Sequence, residues 1–212
     1  MMRRLLFIFT LTFLVSLSAF SQGSKKLENL EAFERTLQKR AGTVESIESA
    51  FIQEKYLDVF DEKVKSSGMF YYKKDQKVCL QYNKPIDYLI VINNGMLKVV
   101  SEGKTSITDL NKNKMMAQMQ GLIVASIIGD LNRLNTDYNV EYFEDNTHYL
   151  IQLLPKNKTI QSFIYSIEMV LEKSNMSVDR LKLSETKENY TEYIFENKKF
   201  NSLKDESIFT IR

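Results

Sequence analysis

The stretch Gly68–Tyr82, GMFYYKKDQKVCLQY, restricts the possible folds of this chain more than any other. Side chains alternate between the two faces of a strand, so Phe70, Tyr72, Val78, Leu80 and Tyr82 fall on one face of two paired strands. Lys74 lies in the charged turn between them. A further turn, Asn83-Lys84-Pro85, leads into YLIVINNG, the start of a third strand. A sheet with this much aromatic and aliphatic surface must cover it. The cover is protein alone, which makes these residues ordinary core, or protein and a bound apolar ligand, which makes them a cavity lining. Phe51, Leu89 and Val91 are assigned to the same set, and Phe163, Tyr165 and Ile167 on a later strand are added to it.

The rest of the pattern supplies the fold class. Leu27, Leu30, Phe33 and Leu37 recur at helical spacing over Lys25–Arg40, with Gly42 as the stop. Strands are expected near 45–58, 64–74, 77–83, 87–93, 96–101 and 104–109, then near 138–144, 147–155, 161–173, 177–186, 190–200 and 207–212. Asn94-Gly95 and Glu102-Gly103 are hairpin turns. Between the two runs of strands, Lys112–Leu134 loses the alternation. Met119, Leu122, Ile123 and Ile127 belong to a broad apolar stripe at helical spacing. That stripe reads as core or as a surface that repacks around a mobile apolar ligand, a task for which methionine is suited. Short turns between successive strands predict an antiparallel meander. A twisted sheet of this length curls. The expected fold is α+β, a strongly curved antiparallel sheet forming an incomplete barrel, with helices over its concave face.

Residues 1–21 read as a cleaved secretory leader, the alternative being an uncleaved anchor, for which the apolar run is short. Arg3 and Arg4 are followed by the apolar Leu5–Leu17 and by Ala19-Phe20-Ser21 at the cleavage site, which makes Gln22 the first residue of the exported chain. Residues 22–212 are expected to form one soluble domain outside the cytoplasm. Arg3 and Arg4 are the leader's basic residues and it holds no acid, so the remainder carries 27 basic and 27 acidic side chains. That balance gives no electrostatic reason to bind nucleic acid. Cys79 is the lone cysteine, which excludes an internal disulfide. Its parity puts it on the outer face, as a small apolar filler or as a free thiol.

No catalytic constellation is present. His148 is the lone histidine, at the end of a predicted strand. One His and one Cys do not make the usual zinc sites. The sequence has no G-x-S-x-G elbow and no phosphate-binding glycine loop. Neither metal nor cofactor is expected. Scattered carboxylates leave an envelope enzyme as an alternative without positive support.

The residues Gly68, Phe70, Tyr72, Lys73 and Lys74, then Val78, Leu80 and Tyr82, then Pro85 and Ile90–Gly95, resemble the LolA family of periplasmic lipoprotein carriers. The likeness begins at VESIESAFIQEK, where Phe51 and Gln53 match the family's F-x-Q, and runs to SIFTIR at the C-terminus. It rests on the order of several short motifs. The resemblance implies a monomeric carrier in the periplasm. Such a carrier holds the acyl chains of lipoproteins in an apolar cavity, receives them from an inner-membrane release complex of the ABC-transporter type, and passes them to an outer-membrane acceptor. It also implies that Lys74 stands where the family has an arginine that holds a helical lid shut; the other reading of Lys74 is a solvated surface charge. Asp75 replaces the family's proline, and the chain lacks tryptophan. A half-barrel that binds another lipid or a glycolipid, or that senses envelope stress, is the alternative of the same class.

Overall fold

The computed structural model describes residues 24–112, 125 and 137–212. Its strands form one open antiparallel sheet in the order β1-β8-β9-β10-β11-β12-β2-β3-β4-β5-β6-β7. The strands are β1 (Lys25–Lys26), β2 (Ser46–Leu57), β3 (Glu62–Lys73), β4 (Lys77–Lys84), β5 (Tyr88–Asn93), β6 (Met96–Ser101), β7 (Lys104–Asp109), β8 (Tyr138–Glu144), β9 (His148–Pro155), β10 (Ser166–Glu172), β11 (Ser177–Ser184) and β12 (Tyr190–Phe200). Helix α1 covers Leu30–Thr43, and a single turn, α2, covers Lys158–Gln161. The meander runs in sequence order on each side of one long-range pairing, β12 with β2. That pairing places the first long strand in the middle of the sheet and leaves β1 and β7 as its two edges.

Turn chemistry sets the register. Asn94-Gly95 and Glu102-Gly103 each put two successive residues at positive φ. This is the backbone that a two-residue hairpin needs, and it suits Asn and Gly. With the register set, alternation sends one parity of every strand to a common inner, concave face. Phe51 lies opposite Gly68, Phe70 opposite Leu80 and Tyr72 opposite Val78. The same face continues through Leu153, Ile167 and Met169 to Leu181 and Phe195, all buried.

Helix α1 starts at Asn29, whose side chain accepts a hydrogen bond from the Ala32 N–H, satisfying a donor left free by helix geometry. Phe33 and Leu37 are its buried residues. The Phe33 ring meets Tyr142 and Tyr149 edge-on, with centroids 5.7 and 4.6 Å apart. Further along, the Arg40 guanidinium lies 4.1 Å from the Phe200 ring centroid, and its Nε–H donates to the Asn175 carbonyl. The helix therefore crosses the end of the half-barrel formed by the 145–147 and 173–176 turns, and it closes that end.

Three sequence expectations change. Lys25–Lys26 pair with β8 as an edge strand, so the helix begins only at Leu30 and runs through Gly42 to Thr43. Residues 161–165 do not start a strand. Lys158–Gln161 form the turn α2, leaving Phe163 and Tyr165 exposed in the connection and only Ile167 on the inner face. Segment 207–212 is not a strand but a 3-10 turn, Ser207–Phe209, followed by irregular chain. It crosses the outer face, where Phe209 is buried.

Candidate functional site

The inner face carries a connected band of rings. Tyr82 meets Phe51 edge-on at 5.0 Å and Tyr88 at 5.6 Å; Phe70 meets Phe195 at 5.4 Å; Tyr193 stacks on Phe195 at 6.3 Å. Gly68 makes the closest of these contacts possible. It sits between Phe51 on β2 and Tyr82 on β4, and with no side chain in the middle strand the two rings touch across it. A Cβ built there would lie 1.9 Å from the Gln81 carbonyl oxygen, so the backbone itself excludes any larger residue.

The hydroxyls of Tyr82 and Tyr193 are 3.4 Å apart, so the band has a polar handle at its centre. Burial raises the pKa of both phenols, which stay neutral and protonated at physiological pH. The same cause lifts Tyr138 and Tyr142 to about 12. This is a surface for apolar contact with a few neutral hydrogen-bonding groups.

Cover over this face is uneven. Ile151, Leu153, Ile167, Met169 and Leu171 on β9 and β10 are sealed. Leu80, Tyr88, Ile90 and Ile92 on β4 and β5 pack against the same core but remain partly exposed. Beneath α1, the space between Val44, Ile47, Phe70, Phe195 and Phe200 is about 20 Å³, room for about one water and no acyl chain. At the opposite end, a groove of about 560 Å³ runs past Tyr82, Ile86, Tyr88, Leu89 and Val100. Gln81, Leu89 and Val100 line it from the outer face and Tyr82 and Tyr88 from the inner, so the groove runs over the rim of the sheet at that end.

Of the residues assigned to the lining from sequence, Phe51, Phe70, Tyr72, Val78, Leu80 and Tyr82 share the inner face. Leu89 and Val91 do not: they pair with Gln81 and Cys79 and lie on the outer face. Their inner-face counterparts are Tyr88, Ile90 and Ile92. The segment YLIVI is apolar at both parities, so alternation alone could not choose a face across the Pro85 turn. Tyr193 and Phe195 were also missed, although the alternation in YTEYIFE carries them. Met119, Leu122, Ile123 and Ile127 lie outside the described residues. Within that stretch Ala125 is helical, buried and part of the inner core. Lys74 Nζ pairs with Glu45 Oε1 at 2.7 Å, and both side chains are more than half exposed.

The outer face has its own small core. Cys79, Val91 and Phe209 are buried together, with Tyr71 and Leu89 against them. Burial pushes the Cys79 thiol up to about 11, so it behaves as the apolar filler. The C-terminal segment that covers it is pinned by charge. Glu206 takes Lys73 at 2.8 Å and Lys77 at 2.9 Å, and these two ammonium groups lower its carboxyl to about 2. The Asn93 side-chain N–H donates to the Phe209 carbonyl at 3.1 Å. His148, at the start of β9, stands 3.7 Å from Asp145 and 3.5 Å from Asp179. No cluster of three potential metal ligands occurs among the described residues.

Over residues 42–212 the sequence matches the model of the family described as outer membrane lipoprotein carrier protein LolA. The chain belongs to the LolA family. No curated protein sequence matches it significantly. Among solved structures, an uncharacterised conserved protein of Thermus thermophilus is 8% identical, covering 84% of this chain and 93% of that one, with a TM-score of 0.50. The lipoprotein LppX of Mycobacterium tuberculosis is 10% identical, covering 82% and 96%, with a TM-score of 0.47. A LolA-superfamily protein of Nitrosomonas europaea is 9% identical, covering 83% and 96%, with a TM-score of 0.42. At these identities the likeness concerns the fold alone. LolA-family proteins are binding or carrier proteins that work outside the cytoplasm, and no helix among the described residues is long and apolar enough to cross a membrane.

Proposed function

We propose that this LolA-family chain is a periplasmic carrier. It binds the acyl chains of lipid-modified proteins against the Leu80–Tyr88–Ile90–Ile92 side of its inner face and moves them from the inner to the outer membrane. Residues 1–21 direct export and are removed near Ser21. The carrier works as a monomer, takes its load from an ABC-transporter type of release complex, and gives it up at an outer-membrane acceptor. The supporting observation is the uneven cover: Ile151, Leu153, Ile167, Met169 and Leu171 are sealed on β9 and β10, whereas Leu80, Tyr88, Ile90 and Ile92 stay part-exposed beside the buried Val78 and Tyr82 of β4.

The energetics suit transport. Each methylene removed from water contributes about 0.8 kcal/mol, so about 15 of them give on the order of 12 kcal/mol gross. A site that only partly encloses the chain retains less than this, which permits release. Lys74 pairs with Glu45 just after α1; in the gate role that the resemblance implies, its ammonium would be a looser restraint than the planar guanidinium fork of an arginine.

Native mass spectrometry of the exported chain purified from its own envelope tests the reading. Acylated protein or diacyl lipid should copurify, and Ile90→Glu should strip it while leaving the β-sheet circular dichroism intact. A chain that never carries acyl material, or an Ile90→Glu protein that carries as much as the wild type, overturns it.

A further inference from the structure

The two ends of the half-barrel differ in chemistry. The end crossed by α1 is built from polar turns: Lys74-Asp75-Gln76, Asn94-Gly95, Asp145–Thr147 and Lys173–Asn175. The other end has polar tips too, Glu102-Gly103 and Glu185–Asn189, but it also carries large apolar side chains in water. Val59 and Phe60, at the tip between β2 and β3, are 84% and 68% exposed; Ile86, between β4 and β5, is 60% exposed; Phe163 and Tyr165, between α2 and β10, are 45% and 44% exposed. Exposed valine and phenylalanine side by side on a loop tip are not explained by folding, because they stabilise nothing in the chain itself.

The tip that presents them is held in shape. The Tyr56 hydroxyl donates to Asp61 Oδ1 at 3.1 Å, Asp61 N–H closes the turn on the Asp58 carbonyl at 3.0 Å, and Asp58 N–H donates to Asn189 Oδ1 on the neighbouring tip at 2.8 Å. Tyr56 stacks on Tyr190 at 5.6 Å. On its β4 side the hairpin also projects. Pairing with β4 stops at Ser67 opposite Lys84, while Glu62–Ser66 run on past it, roughly 16 Å of strand. On the other side Tyr165 N–H donates to the Ser184 carbonyl, so the α2–β10 connection sits beside the β11–β12 tip and then the β2–β3 tip.

We infer that this end of the half-barrel is a membrane-docking rim, whose tips at Val59-Phe60, Ile86 and Phe163 enter the interfacial layer of a lipid bilayer. Three arguments favour a bilayer over a protein partner. Side chains on three separate tips offer no continuous surface of the roughly 800 Å² per partner that a specific protein interface buries, whereas lipid closes around each tip separately. The 156–165 connection holds Lys156 and Lys158 and no acid beside an exposed Phe and Tyr, the pairing of cation and amphipathic ring that suits the headgroup layer. The groove past Tyr82, Ile86 and Tyr88 lies over the rim of the sheet at this same end, so docking brings it against lipid. The inference rests on the tips and not on any cargo.

The chain has no tryptophan, so Phe60→Trp supplies a single reporter. With vesicles of phosphatidylethanolamine and phosphatidylglycerol, its emission should shift to the blue and be quenched by brominated acyl chains. In flotation, the exported chain should rise with these vesicles. Val59→Ser with Phe60→Ser should lower the bound fraction about tenfold, in proportion to the apolar area removed, and Phe163→Ser severalfold. Ile107→Ser, on edge strand β7, should change nothing. An unquenched reporter, flotation that the tip variants leave unaltered, or tip variants that abolish self-association in sedimentation without any vesicle binding would each overturn the inference. Because the Phe60→Trp fluorescence reports the tip and Ile90→Glu reports the inner face, failure of the rim is distinguishable from failure of the carrier reading.

Discussion

The β9–β10 part of the inner face and the β4–β5 part are made of the same materials and end in different states. Ile151, Leu153, Ile167 and Met169 are sealed; Leu80, Tyr88, Ile90 and Ile92 are partly exposed. The nearby cover accounts for the difference. Helix α1 brings Phe33 against Tyr142 and Tyr149, and α2 adds buried Ile160 beside β9. Among the described residues no such element caps β4 and β5. One part of the face is closed core, and the other is the side to which the proposed function assigns the acyl chains.

Substitutions can break this contrast. Ile167→Ala should cost about 3 kcal/mol in urea unfolding, because the lost buried methyl groups leave a cavity. Ile90→Ala should cost less than about half of that, since its surroundings already admit water. Equal losses would show that both parts are core. Gly68→Ala should cost about 2 to 3 kcal/mol, because the new methyl group meets the Gln81 carbonyl and separates the Phe51 and Tyr82 rings. A Gly68→Ala protein as stable as the wild type would show that the two rings do not need a bare backbone between them.

Ile90→Glu sharpens the contrast from the functional side. Half-saturation of a fluorescent fatty acid should require about tenfold more protein, while unfolding stays a single cooperative transition. The outer face offers a smaller effect. Glu206→Gln should loosen the C-terminal segment and raise the rate at which Cys79 reacts with a thiol reagent at pH 8. Glu206 is a carboxylate with a lowered pKa, so its contribution is complete above the ordinary carboxylate range and is lost as pH falls through about 2. The protection factors of the Phe209 and Thr210 amides, with the intrinsic pH dependence of exchange divided out, should fall across that interval and stay constant above it. Lys74→Ala should leave the thermal midpoint nearly unchanged, since its pairing with Glu45 is exposed. A change in fatty-acid release in that variant would be the sign of a gate.

Much of the architecture was legible from local rules. The strands of the two meanders, the Asn94-Gly95 and Glu102-Gly103 hairpins and the inner parity of Phe51, Phe70, Tyr72, Val78, Leu80 and Tyr82 follow from alternation and turn chemistry. The readings that failed lie where alternation is silent or interrupted. YLIVI is apolar on both faces, so Leu89 and Val91 were put on the wrong one. SIFTIR has strand-like composition, yet Phe209 is consumed by the outer core and the segment crosses the sheet instead of joining it.

Local pattern was enough to require a curling antiparallel sheet, to place its tight hairpins, and to set Cys79 apart from the aromatic parity. These are nearest-neighbour matters, governed by φ, side-chain period and bulk. Three outcomes needed the folded chain: which of two apolar faces each β5 residue meets, which of the described inner-face residues stay part-exposed, and the gathering of Val59, Phe60, Ile86 and Phe163 at one end. They depend on the β12–β2 pairing and on where α1 comes to rest, contacts between residues far apart in the chain that no short-range rule encodes.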